Sequence, residues 1–113
     1  MKTPETPIVE TQDILTFITL HLEYIQRHFR VVKIGVFGSF ARHEQNDNSD
    51  IDIVIELRDN TQNIYELKQE LREFIGKRFH RKVDIAREKY LKTSFKKRIL
   101  TETIYVGEGH PES

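Results

Sequence analysis

An apolar run that ends on Gly38-Ser39, and a second one headed by Asp50-Ile51-Asp52, constrain this chain more than any other feature. The first run, Val31-Val32-Lys33-Ile34-Gly35-Val36-Phe37, is rich in β-branched residues and too short for an ordinary helix, so it reads as a buried strand. It delivers the chain directly into Gly-Ser. A glycine at a strand-to-helix turn lets the backbone approach a ligand closely, and a helix N-terminus beyond it presents free amides to an anion such as phosphate. The Ser39 hydroxyl adds one more donor at that turn. Asp50 and Asp52 stand two apart at the start of the next strand and so project from one face. Two carboxylates on one face repel unless a cation joins them. Oxygen donors of this hardness suit Mg²⁺ or Mn²⁺, which bind through a few carboxylates, water and substrate phosphates.

A third carboxylate follows inside Lys82-Val83-Asp84-Ile85-Ala86. Aspartate is depleted from strands, and its position between Val83 and Ile85 turns it away from their face. If this strand neighbours the one that begins at Asp52, all three aspartates share a side. Three carboxylates beside a phosphate-binding turn match a two-ion arrangement, which clamps the attacking and leaving oxygens of an in-line displacement.

Gly38-Ser39, the spacer from Phe40 to Ser49, and Asp50-Ile51-Asp52 together resemble the signature of the nucleotidyltransferase superfamily related to DNA polymerase β. The short length, the wording Ser39-Phe40-Ala41-Arg42 and Ser49-Asp50-Ile51-Asp52-Ile53, and the ending Lys97-Arg98-Ile99-Leu100-Thr101-Glu102-Thr103-Ile104-Tyr105-Val106 narrow the resemblance. They are similar to the minimal nucleotidyltransferases (MNT), the partners of HEPN proteins in prokaryotic toxin–antitoxin pairs. The similarity covers residues 31–106.

The resemblance implies an α/β fold, nucleotidyltransferase-like, with a small mixed sheet flanked by helices. It further implies an antitoxin that transfers AMP from ATP to a tyrosine hydroxyl of a cognate HEPN ribonuclease toxin. Carried over by position, Asp50 and Asp52 hold two Mg²⁺ ions, with Mn²⁺ as an alternative. Asp84 assists the incoming hydroxyl as metal ligand or base, and Gly38 and Ser39 hold the triphosphate. His43 departs from the pattern, since many relatives have glycine there, and it adds bulk and a titratable group beside the cleft. Two other functions stay open on the same residues. One is an antitoxin that neutralises by binding alone; the other is nucleotidyl transfer to a small molecule or an RNA end.

The 113 residues fit one domain over 11–106, between a flexible arm at 1–10 and a tail at 107–113. So short a domain favours a protein acceptor that brings its own binding surface. Lys plus Arg balance Asp plus Glu at 18 each, which leaves no basic field for nucleic acid, and no direct nucleic-acid contact is expected. The absence of cysteine excludes disulfides and thiolate metal sites. No apolar segment approaches bilayer length, and Met1-Lys2-Thr3-Pro4-Glu5-Thr6-Pro7 lacks the apolar core of a signal peptide, so a cytoplasmic protein without a membrane partner is expected.

Elsewhere periodicity sets the elements. Ile14, Ile18, Leu22, Ile25 and Phe29 predict one amphipathic helix from about Thr11 to Arg30, with Thr11 as N-cap and Asp13 in the first turn. A short helix is expected over Ser39 to His43, then a polar loop. Ile64, Leu67, Leu71, Phe74 and Ile75 predict a second amphipathic helix ending near Arg78. A last helix over Tyr90 to Thr101 turns Leu91, Phe95 and Ile99 to one side and Lys92, Lys96 and Lys97 elsewhere, before an edge strand at Thr103 to Val106. Arg42 is positioned either to reach a phosphate or to pair with a local carboxylate.

Overall fold

Alternation along β2 (Ile51–Leu57) decides what its two faces do. Ile51, Ile53, Ile55 and Leu57 are buried on one face, and Asp52, Val54 and Glu56 fall on the other. The computed structural model describes residues 8–107 and gives four helices and four strands. Helices α1 (Thr11–Leu20) and α2 (Leu22–His28) precede β1 (Val31–Phe37) and β2. Then come α3 (Ile64–Phe79), β3 (Val83–Arg87), a 3₁₀ turn (Glu88–Tyr90), α4 (Thr93–Glu102) and β4 (Ile104–Val106). The expected arm and tail fall largely outside the described residues, although Val9 packs into the core.

The strands form a single sheet in the order β3-β2-β1-β4. β1 runs antiparallel to both β2 and β4, while β2 and β3 are parallel and are joined by α3, the crossover that a parallel pair requires. The sheet is therefore mixed, as expected. Its helix-covered face joins Ile34, Val36, Ile53, Ile55, Val83 and Ile85 to Ile14, Ile18, Ile25, Leu71 and Ile75 in one core. Burying an aliphatic side chain of this kind contributes about 1.5–3 kcal/mol. Aromatic contacts tie the helices to each other, with Phe17 of α1 lying 5.4 Å from Phe74 and 5.5 Å from Phe79, both of α3. Among the described residues, no helix is long and apolar enough to cross a membrane.

Three local expectations are corrected. The helix predicted from Thr11 to Arg30 is two helices, because the chain leaves helical geometry at His21 (φ −110°, ψ 16°). The His21 amide is shared between the carbonyls of Phe17 and Ile18, and its Nδ1 also lies 2.8 Å from the Phe17 oxygen. A side chain competing for a helical carbonyl breaks the ladder while the apolar stripe continues across the break. The α1 N-cap is Glu10, whose amide donates to Asp13 Oδ2 at 2.9 Å; Thr11 is buried instead. Finally, α4 begins at Thr93 after the 3₁₀ turn and has no fully buried residue, with Phe95 49% exposed. It lies outside the helix-covered core, so its apolar positions gain less cover than their spacing suggests.

Candidate active site

The site forms where β1 ends. Phe37 pairs with Asp52, and Asp52 pairs in turn with Asp84 across the parallel β2–β3 ladder. Val83 and Ile85 are buried beneath α3, so Asp84 emerges on the opposite face, the one that carries Asp52. The adjacency assumed for the two strands is thus present. Asp50 lies just before β2, and its charge acts on Asp52. The Asp52 carboxyl is pushed up to about 6, first by burial and then by the charges of Asp84 and Asp50, with Arg42 opposing and Glu102 adding to the rise. Among the described residues, no three acidic or histidine side chains close around one point as a ready-made metal cage. Asp52 and Asp84 share a face, and the charge of Asp50 reaches Asp52.

Gly38 takes a left-handed backbone (φ 78°) directly after β1. The Asp52 carboxylate packs so closely on it that a Cβ there would come within 2.1 Å of Oδ2. Only glycine permits both the backbone and the approach.

Beyond Gly38 the expected short helix is absent. Residues 38–43 form an irregular turn in which Arg42 N–H bonds to Gly38 O (3.1 Å), His43 N–H to Phe40 O (3.2 Å) and Glu44 N–H to Ser39 O (2.9 Å). The three bonds span different numbers of residues, so no helical repeat is established, and His43 leaves the turn in a left-handed conformation (φ 59°). That backbone is one a glycine would adopt freely. Among the described residues, the amides of Ser39, Phe40 and Ala41 bond to no other group, leaving donors at the turn although no helix follows it.

Two anchors hold the turn and the following loop. The Phe40 ring is fully buried, and the Thr11 hydroxyl, 3% exposed, donates to the Phe40 carbonyl at 2.6 Å. Farther along, Arg81 Nη1 donates to the carbonyls of Asn46 (3.1 Å) and Ser49 (2.8 Å), and Ile51 N–H bonds to Lys82 O (2.9 Å). These bonds fix the loop that delivers Asp50.

Arg42 pairs with carboxylates rather than standing free. Its Nε lies 3.0 Å from Glu44 Oε1 and its Nη1 3.2 Å from both oxygens of Glu102, and these partners raise its pKa further. Glu102 Oε2 also accepts the Gly38 N–H at 2.8 Å. Sequence reasoning missed Glu102 as part of the site. One signal was available, because a carboxylate in the last turn of a helix opposes the macrodipole and needs a partner.

The fold and this carboxylate-lined turn define a nucleotidyltransferase: residues 18–106 match the family model described as the nucleotidyltransferase domain, and the chain belongs to that family. Relatives similar along most of the chain carry the name protein adenylyltransferase. The protein adenylyltransferase MntA of Thermococcus cleftensis is 32% identical over 97 residues, covering 84% of this chain and 94% of the relative. A relative from Methanocaldococcus jannaschii is 34% identical over 95 residues, covering 83% of this chain and 95% of its own. Among solved structures, a minimal nucleotidyltransferase superposes with a TM-score of 0.71 at 23% identity, covering 85% of this chain and 95% of that one. An MNT antitoxin, solved in complex with the tri-AMPylated HEPN toxin of Shewanella oneidensis, superposes at 0.60 and 20% identity, covering 90% and 77%. These last two likenesses are of fold.

Proposed function

We propose that this chain is an antitoxin that transfers AMP from ATP to a tyrosine hydroxyl of a HEPN-family toxin, with Mg²⁺ as the cofactor. The observation that carries the reading is the register of Asp52 opposite Asp84, on one face, with Gly38 against the Asp52 carboxylate. The name of the Thermococcus cleftensis relative, similar along nearly its whole length, supports protein adenylylation as the activity. The MNT fold neighbour bound to a tri-AMPylated HEPN toxin supports the choice of acceptor protein.

The donor set fits hard divalent cations. Asp52 and Asp84 share a face, and Asp52 is made hard to ionise by burial and by the charges of Asp84 and Asp50, a repulsion that a dication relieves. Mg²⁺ is usually held by one or two carboxylates together with substrate phosphates rather than by a closed protein cage. Asp50 and Asp52 would hold two ions, with Asp84 completing the set. When bound, such ions offset charge on the transferring phosphoryl group and make a nearby hydroxyl easier to deprotonate.

The chain's own groups supply the remainder. Gly38 and Ser39, with the free amides of the turn, hold the triphosphate. Asp84 assists the incoming hydroxyl, as metal ligand or as the base that takes its proton. The acceptor oxygen attacks the α-phosphorus in line, the bond from that phosphorus to the oxygen bridging to the β-phosphate breaks, and pyrophosphate leaves. A tyrosine acceptor, with an ordinary pKa of about 10, gives up its proton more readily than serine does.

The test combines the purified chain, ATP labelled on the α-phosphate, Mg²⁺ and the HEPN protein encoded beside it. Label on a toxin tyrosine, lost on chelation of Mg²⁺ and in Asp50→Asn, is the expected result. A folded pair that yields no labelled toxin, or a toxin neutralised equally well by Asp50→Asn and Asp52→Asn chains, refutes it.

A further inference from the structure

Helix α4 carries Lys96, Lys97 and Arg98 and then ends on Glu102, with no basic residue in its last turn to soften the placement. An acidic side chain at a helix C-terminus is unfavourable. Its compensation comes from far along the chain: the Gly38 N–H, 64 residues away, donates to Glu102 Oε2 at 2.8 Å, and Arg42 Nη1 reaches both oxygens at 3.2 Å. The carboxylate is only 16% exposed.

We propose that Glu102 is a positioning residue for the nucleotidyl transfer argued above, and the inference rests on that reading. By accepting the Gly38 amide and holding Arg42, it fixes the left-handed turn that seats Asp52 and aims the free amides of Ser39, Phe40 and Ala41 at the polyphosphate. The hydrogen bond fastens the residue whose Cα touches the Asp52 carboxylate. A small shift of that amide would move the carboxylate's resting place.

The alternative role for a carboxylate on an anion-binding turn is that of a placeholder, which withdraws when phosphate arrives. The setting of Glu102 limits withdrawal to rotation of its side chain. Thr103 follows it with both its amide (3.0 Å) and its hydroxyl (2.6 Å) on the Ile99 carbonyl. Ile104 is then paired in register with Val36 of β1, the strand that leads into Gly38. Glu102 is thus fastened to the same strand as the turn it holds. Moving its backbone away would require unpairing β4.

The experiment compares wild type, Glu102→Ala and Glu102→Gln in the full chain. Hydrogen exchange at the Gly38 amide is read by NMR, and kcat and KM for Mg·ATP are measured with the HEPN protein as acceptor. In Glu102→Ala, Gly38 exchange should accelerate at least about tenfold and kcat should fall on the order of 10- to 100-fold, the range for losing a supporting hydrogen bond behind a metal site. Glu102→Gln keeps an acceptor for the amide and should recover most of both. A purely structural role predicts instead a lowered melting temperature, with kcat unchanged in the fraction that remains folded. Unchanged Gly38 exchange in Glu102→Ala overturns the proposal, and so does tighter Mg·ATP binding with undiminished kcat, the mark of a placeholder. Failure of the wild-type chain to transfer AMP at all overturns the functional reading; it is told apart because amide exchange is read without turnover.

Discussion

The Asp52 carboxylate rests on the Cα of Gly38, at a spot where any side chain would meet Oδ2 at 2.1 Å. This contact joins the end of β1 to the face of β2, so the turn proposed to hold phosphate and the carboxylates proposed to hold metal are one object. Disturbing either residue should therefore disturb both functions.

Replacing Gly38 with alanine is the direct test. The left-handed backbone (φ 78°) costs an L-residue about 1–2 kcal/mol, and the clash with Asp52 adds to that. Chemical denaturation should show a loss of at least about 1 kcal/mol. Nucleotidyl transfer should fall far more than the remaining folded fraction explains, because Asp52 has to move.

Asp52→Asn should abolish transfer and yet stabilise the fold at neutral pH. The folded pKa of Asp52, about 6, lies above its ordinary 3.8, so between those values the folded state binds more protons than the unfolded one. Stability from this group is present below about pH 4 and is lost as pH rises through 6. Asp52 is only half buried, and solvent screening reduces the effect, so the Asn variant should gain about 1 kcal/mol at pH 7 and little at pH 4. Thermal melts across that range check the sign.

His43→Gly should make the protein more stable. His43 holds φ 59°, a backbone glycine adopts freely, and its Nδ1 makes only a long 3.4 Å contact with the Thr11 hydroxyl. Relief of backbone strain, offset by the greater freedom of glycine in the unfolded chain, leaves a gain of about 0.5–1 kcal/mol. A lower melting temperature would mean that the imidazole contributes more than its geometry suggests.

Thr11→Val keeps the shape of the side chain but removes the hydroxyl that donates to Phe40 O. The carbonyl is left without that partner in the interior, at a cost of about 1–3 kcal/mol. The turn behind Ser39 should loosen with it, visible as faster amide exchange from Gly38 to Glu44.

Much of this architecture could be read along the chain. The strand ending at Phe37, the strand beginning at Ile51 and the amphipathic run of α3 obey local periodicities, and Gly38, Asp50 and Asp52 stand close enough in sequence for their spacing to carry meaning. Asp84 was legible because flanking Val83 and Ile85 define which way it faces once β3 lies beside β2. The break at His21 was not legible, since the apolar stripe runs unbroken through it. Nor was the irregular turn at 38–43, where a buried Phe40 and its bond to Thr11 override any local preference for helix.

Short-range order thus follows from residue type and repeat, because a side chain's direction along a strand or helix depends only on its neighbours in the chain. The hold of Glu102 on Gly38 and the seat of Phe40 beneath Thr11 join residues 64 and 29 positions apart. Such pairings acquire an energy only when the sheet closes and water leaves, so it was folding in three dimensions that selected them.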